Sequence, residues 1–98
     1  MRIGLYVDAE ISKHPGAVLD YQFDWSSWLD GDTISNSSWS EAEGITKETE
    51  TNSTTTATIW LSGGTAEQSY RLVNTIVTAV GRTEKKALVV TVTTEGAV

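Results

Sequence analysis

Four aspartates, two tryptophans, a tyrosine and a phenylalanine fall between Asp20 and Ile34, in the stretch DYQFDWSSWLDGDTI. These are the residue types from which calcium loops, acid–base pairs and sugar platforms are built. Asp30-Gly31-Asp32 with Glu41 matches the first, third and twelfth positions of a helix-flanked calcium loop. The fifth position is Ile34, which has no oxygen to donate, and the sixth is Ser35 where the sharp bend requires Gly. A looser oxygen site shared with Asp24 is the alternative, but an Asp-Gly-Asp turn forms without any metal, and none is expected.

Asp20 and Asp24 share one strand face four residues apart, about 13 Å at about 3.3 Å per residue. Glycosidase carboxylates stand about 5 to 9.5 Å apart. Asp30 and Asp32 come closer, but a polar, exposed turn raises no pKa and makes no acid. The sole histidine, His14, sits between Lys13 and Pro15 with no orienting partner in view, so it does not serve a nucleophile. There is no cysteine, and Gly63-Gly64 ends a strand instead of opening a helix beneath a phosphate. No catalytic residue, cofactor or metal site is expected.

Ninety-eight residues make one domain, large enough for a single core. The net charge of −6 disfavours nucleic acid, whose affinity comes from Lys and Arg displacing counterions. Ten of the thirteen acids lie in residues 1–50 with three of the seven bases, leaving the second half slightly basic. If the two halves map to different surfaces, the molecule is electrically lopsided and suited to docking on partners or head to tail; otherwise the acidity simply keeps it soluble. No segment resembles a signal peptide or a membrane span, so a soluble protein made in a cytoplasm is expected.

Fifteen Thr and nine Val against one Pro favour strands. Period-two alternation predicts strands over 18–25, 33–40, 44–51, 55–62, 69–79 and 85–94, with 3–7 as a further strand and 8–16 as a connector. In the first of these, Leu19, Tyr21, Phe23 and Trp25 point inward. Ile34 and Trp39 have opposite parity within one strand, which implies a bulge or burial on both sides. The expected fold is all-β, an immunoglobulin-like sandwich of about seven short antiparallel strands, with a small barrel as rival. Tyr70, inward near the start of the penultimate strand, stands where such folds place a tyrosine corner. The division is an arm or extra strand over 1–12, the sandwich over 13–94 and a tail over 95–98.

Trp25 and Trp39 are assigned to the core and Trp28, with Leu29, to a lid at one end. Trp60 points outward if Ile59 and Leu61 point in, and exposed Trp is the type most enriched at interface hot spots. Trp60 is therefore the leading contact residue, with the outward Val73 and Val77, Trp28, and Arg2 and Leu5 of the arm beside it.

KHPGAVLDYQFDWSSWLDGDTISNSSWS and TTTATIWLSGGTAEQSYRLVNTIVTAVGRTEKKALVVTV together resemble a group of small virion proteins from tailed bacteriophages, described as fiber-tail adaptor, neck or tail-associated proteins. The shared features are Lys-x-Pro, a Leu-Asp-Tyr-x-Phe-Asp-Trp strand leading to Trp-Leu and an acidic Gly turn, and Trp-Leu-Ser-Gly-Gly-Thr before a Tyr-x-apolar-x-Asn strand. The resemblance implies a non-enzymatic sandwich in the tail or neck of the virion, present in several copies and made in the host bacterial cytoplasm. Its partners would be other phage structural proteins, a tail or head-tail ring and a fibre, with neither nucleic acid nor membrane. The alternatives are a carbohydrate-binding module using Trp28 and Trp60, and a capsid-decorating protein.

Overall fold

A computed structural model describes residues 9–94 of the chain. Seven strands and one helical turn follow in order: β1 (Ala9–Lys13), β2 (Leu19–Asp24), α1 (Ser26–Leu29), β3 (Ile34–Trp39), β4 (Ile45–Asn52), β5 (Thr56–Gly63), β6 (Ser69–Thr78) and β7 (Thr83–Val92). They form two sheets, β1-β7-β6-β3 and β2-β5-β4. This is the layout of an immunoglobulin-like sandwich, with the chain changing sheets at each Greek-key connection.

Alternation decides which side of each strand is wet. Along β6, Tyr70, Leu72, Asn74, Ile76 and Thr78 are buried while Arg71, Val73, Thr75 and Val77 are half-buried on the opposite face. Ala57, Ile59 and Leu61 of β5 meet them from the other sheet, and Val90 and Val92 of β7 extend the same buried face beside β6. Full burial of a side chain such as Leu61 or Ile76 contributes about 1.5–3 kcal/mol.

The pairing of β3 slips between Ile34 and Asn36. That bulge turns both Ile34 and Trp39 inward in spite of their odd spacing. The tyrosine corner is present as well: the Tyr70 hydroxyl accepts the Thr65 N–H at 2.8 Å.

Three expectations need correction. The strands are not all antiparallel, because β1 runs parallel to β7. The chain crosses between sheets in the loop after Lys13, so β1 need not reverse against its neighbour. The connector expected over 8–16 is largely β1 itself: Ile11 packs against the core and Lys13 is fully buried. Leu19, expected inside, is 37% exposed because it opens an edge strand, and Tyr21 is only half-buried. The strand expected over 3–7 lies outside the described residues.

Candidate docking surfaces

The outer face of β2-β5-β4 is built by register. Trp60 pairs with Asp20 on one side and Thr49 on the other, while Gln22 pairs with Thr58 and Asp24 with Thr56. Trp60 is 39% exposed, a large indole held in the middle of a sheet face by buried Ile59 and Leu61 on either side. Gln22 Nε2 donates to Thr58 Oγ1 at 3.0 Å, and Ser62 Oγ donates to Glu48 Oε2, which places Glu48 on this same face.

Lys47 is the one base in these three strands, and it is turned to the edge. Its Nζ lies 2.5 Å from Glu50 and donates to the Trp39 carbonyl at 3.1 Å, while Glu50 Oε1 accepts the Trp39 N–H. The pair substitutes for a neighbouring strand along the rim of β3, a charged block on an edge that would otherwise invite pairing. What remains on the outer face is Trp60 among Asp20, Asp24 and Glu48.

The other outer face has a different character. Arg71, Val73, Thr75 and Val77 alternate outward along β6, and Lys85 of β7 pairs with Thr75. A shallow depression of about 470 Å³ is lined by Ser38, Ser40, Arg71, Val73, Thr75 and Lys85, with Trp39 at its side. Glu10 of β1 lies in the same row of this face, through Val89, as Arg71.

At the end of the sandwich near α1, Arg82 organises a third group. Its guanidinium bridges to Asp32 Oδ2 at 3.1 Å, donates to the Leu29 carbonyl at 2.9 Å and lies 4.4 Å from the centre of the Trp28 ring. The Thr78 hydroxyl, followed by the Thr33 N–H, Arg82 and the Val80 N–H, holds the Asp32 carboxyl below its usual value against some desolvation. The turn is therefore closed by a guanidinium, and its Ile34 belongs to the core. Asp24 Oδ1 accepts the N–H of Ser26, the first residue of α1, at 2.9 Å, the main reason its pKa is lowered. His14 Nδ1 accepts the Gly16 N–H. Among the described residues no three His, Cys, Asp or Glu gather as metal ligands.

The tryptophans do not assemble into a platform. Trp28 is half-buried under Arg82, edge-on to Trp25 at 5.6 Å. Trp60 pairs with Asp20 near the start of β2, whereas Trp28 lies beyond the end of that strand. Val73 and Val77 share the outer face of β6 with half-covered side chains. Arg2 and Leu5 lie outside the described residues.

Sequence reasoning missed three residues that hold these faces rigid. Asn74 is wholly buried; its amide donates to Ser37 Oγ and the Ser38 carbonyl and accepts from Trp25 Nε1. Its position among apolar residues of an alternating strand is the available signal. Lys13 is wholly buried and donates to the carbonyls of Gly63 at 2.6 Å and His14 at 3.0 Å, tying β1 to the far sheet. Burial lowers its pKa. Arg82 had no signal beyond its place in a turn.

No curated protein matches the chain. The family model of podophage GP4 fiber-tail adaptor protein gp77 matches residues 13–93, nearly the whole sandwich. The Lys-x-Pro start, the Trp60-Leu-Ser-Gly-Gly turn and the Tyr70 strand all lie within that span. With two sheets closed on an apolar core and their polar chemistry directed to bracing, the chain belongs to the podophage GP4 fiber-tail adaptor family of gp77.

Proposed function

We propose that this chain is a non-enzymatic docking module of the phage tail, linking fibres to the tail and present in several copies per virion. It is made in the cytoplasm of the host bacterium and works through protein contacts, without nucleic acid or membrane. The single observation that carries this is Trp60, a 39% exposed indole at the centre of a rigid sheet face. A solvent-exposed tryptophan is a large apolar area maintained in water, and such residues anchor protein interfaces. Val73 and Val77 offer a second apolar surface on the opposite sheet, and Arg2, Leu5 and Trp28 are further contact residues of the same module.

A carbohydrate role rests on Trp28 and Trp60 acting together, and their separation along the sandwich disfavours it. A capsid-decorating role shares the same physics at another station. Cross-linking of intact particles followed by mass spectrometry tests the reading: cross-links from this chain to tail and fibre proteins support it. Cross-links confined to the major capsid protein would instead assign a decorating role.

A further inference from the structure

Of the four large apolar side chains exposed among the described residues, three stand together: Val18 and Leu19 lead into β2, and Trp60 pairs with Asp20 beside them. β2 pairs with β5 on one side and with no described strand on the other, and β1 is the edge of the opposite sheet. A cavity of about 300 Å³ is lined from both edges, by Ala9 and Ile11 of β1 and by Tyr21 and Phe23 of β2, with Trp39 and Leu88. Two polar atoms of these lining residues are buried without a hydrogen-bond partner among the described residues: Trp39 Nε1, on a residue only 4% exposed, and the Tyr21 hydroxyl. Burial, and then the Asp20 carboxylate, raise the Tyr21 pKa, so its hydroxyl keeps a proton to donate. Buried polar groups are costly unless paired, so a guest that fits must bring oxygen as well as carbon. The opposite edges, β3 and β4, are blocked by Lys47 and Glu50 at the Trp39 backbone.

We propose that the β2 edge is a strand-docking site: it receives an extended segment of another virion protein, with apolar residues at alternate positions and basic residues between them. This rests on the docking reading above and states the chemistry of its partner. An added strand shares the alternation of β2, so every second side chain turns into the cavity beside Tyr21 and Phe23. The side chains between them lie on the outer face next to Asp20 and Asp24, about 5 Å away between Cβ atoms. Asp20, Asp24 and Glu48 give that face its charge, and basic residues complement it. The backbone of the guest meets the unpaired edge of β2, and its carbonyls supply the oxygen that Trp39 and Tyr21 lack. Val18, Leu19 and Trp60 continue the apolar contact from the cavity onto the outer face.

The test titrates the nitrogen-labelled full chain, followed by heteronuclear NMR, with an end-blocked peptide Lys-Val-Lys-Val-Lys-Val-Lys and with the same peptide carrying Glu in place of Lys. The basic peptide is expected to shift the Trp39 indole resonance and the β2 amides at concentrations below about a millimolar, and the acidic one to bind at least about tenfold more weakly. Added salt weakens the binding of the basic peptide. Asp20→Lys removes most of its advantage over the acidic one, and Ala9→Phe fills the cavity and abolishes the Trp39 shift; melting curves check that both variants fold. Absence of shifts with the basic peptide, or equal shifts with both peptides in wild type and variants, overturns the inference. So do nuclear Overhauser contacts in the free chain between residues 3–7 and the β2 edge, which would assign the site to the chain's own N-terminus. If the peptides leave β2 untouched while Trp60→Ala is still lost from particles, the partner meets the sheet face alone and the docking reading survives without this one.

Discussion

The indole N–H of Trp25 donates to the side-chain oxygen of Asn74 across 2.9 Å, with both residues wholly buried and drawn from opposite sheets. Trp25 follows β2 and Asn74 is the middle of β6, so the bond spans the sandwich. The Asn74 amide then fastens the Ser37 and Ser38 segment of β3. A polar network this deep is stable only when every member is satisfied, and it specifies one packing of the two layers.

Asn74→Ala leaves the buried Trp25 N–H without its partner and removes the bonds to Ser37 and Ser38, and is expected to destabilise the fold by about 2–3 kcal/mol. Trp25→Phe in the same chain removes the orphaned donor, so the double variant loses less than the sum of the two singles. Denaturant unfolding of all four chains measures that coupling.

Gly64 has φ +98°, and a Cβ there would lie 2.7 Å from Cγ2 of Val92. Gly64→Ala combines that overlap with a strained backbone and is expected to lower stability by more than about 1 kcal/mol. Val92→Ala placed beside it relieves the overlap but not the strain, so part of the loss returns in a thermal melt.

The Tyr70 hydroxyl holds the Thr65 N–H at the corner leading into β6. Tyr70→Phe keeps the ring and removes the bond, with an expected loss of about 1–2 kcal/mol. Hydrogen exchange at the Thr65 amide is expected to accelerate more than exchange in the centre of β6.

Asp32 titrates below its ordinary value because Thr78, Thr33, Arg82 and Val80 stabilise the carboxylate. Its unfolded pKa is about 3.9, so the stability it contributes is complete above that value and is lost as pH falls through the lower folded pKa. Arg82→Ala removes one of these partners and uncovers Trp28. The acid limb of the stability curve is expected to flatten, and tryptophan emission to shift to the red at neutral pH.

Much of the sandwich was legible because period-two alternation is strong wherever one face is buried. Ile34 and Trp39 revealed the bulge by their parity alone, and Tyr70 revealed the corner by its place in the strand. β1 escaped because Ala9-Glu-Ile-Ser-Lys carries one large apolar residue and ends on Lys13, a residue type almost never buried without a partner. Here two backbone carbonyls receive it, and only the fold brings Gly63 to that point. Trp60 was placed outside by the parity of Ile59 and Leu61, and it is outside. Which charges share a surface was not legible, since strand order decides it: the register brings Glu10 of β1 into the same row as Arg71 of β6.

The most direct test of the account is the number of copies of Trp60→Ala in purified particles, counted by quantitative mass spectrometry against wild type, with a melting curve confirming that the variant folds. Loss of a buried tryptophan anchor at an interface predicts copies reduced about tenfold or more. A folded variant present at the wild-type number would contradict the claim that this face is where the module docks.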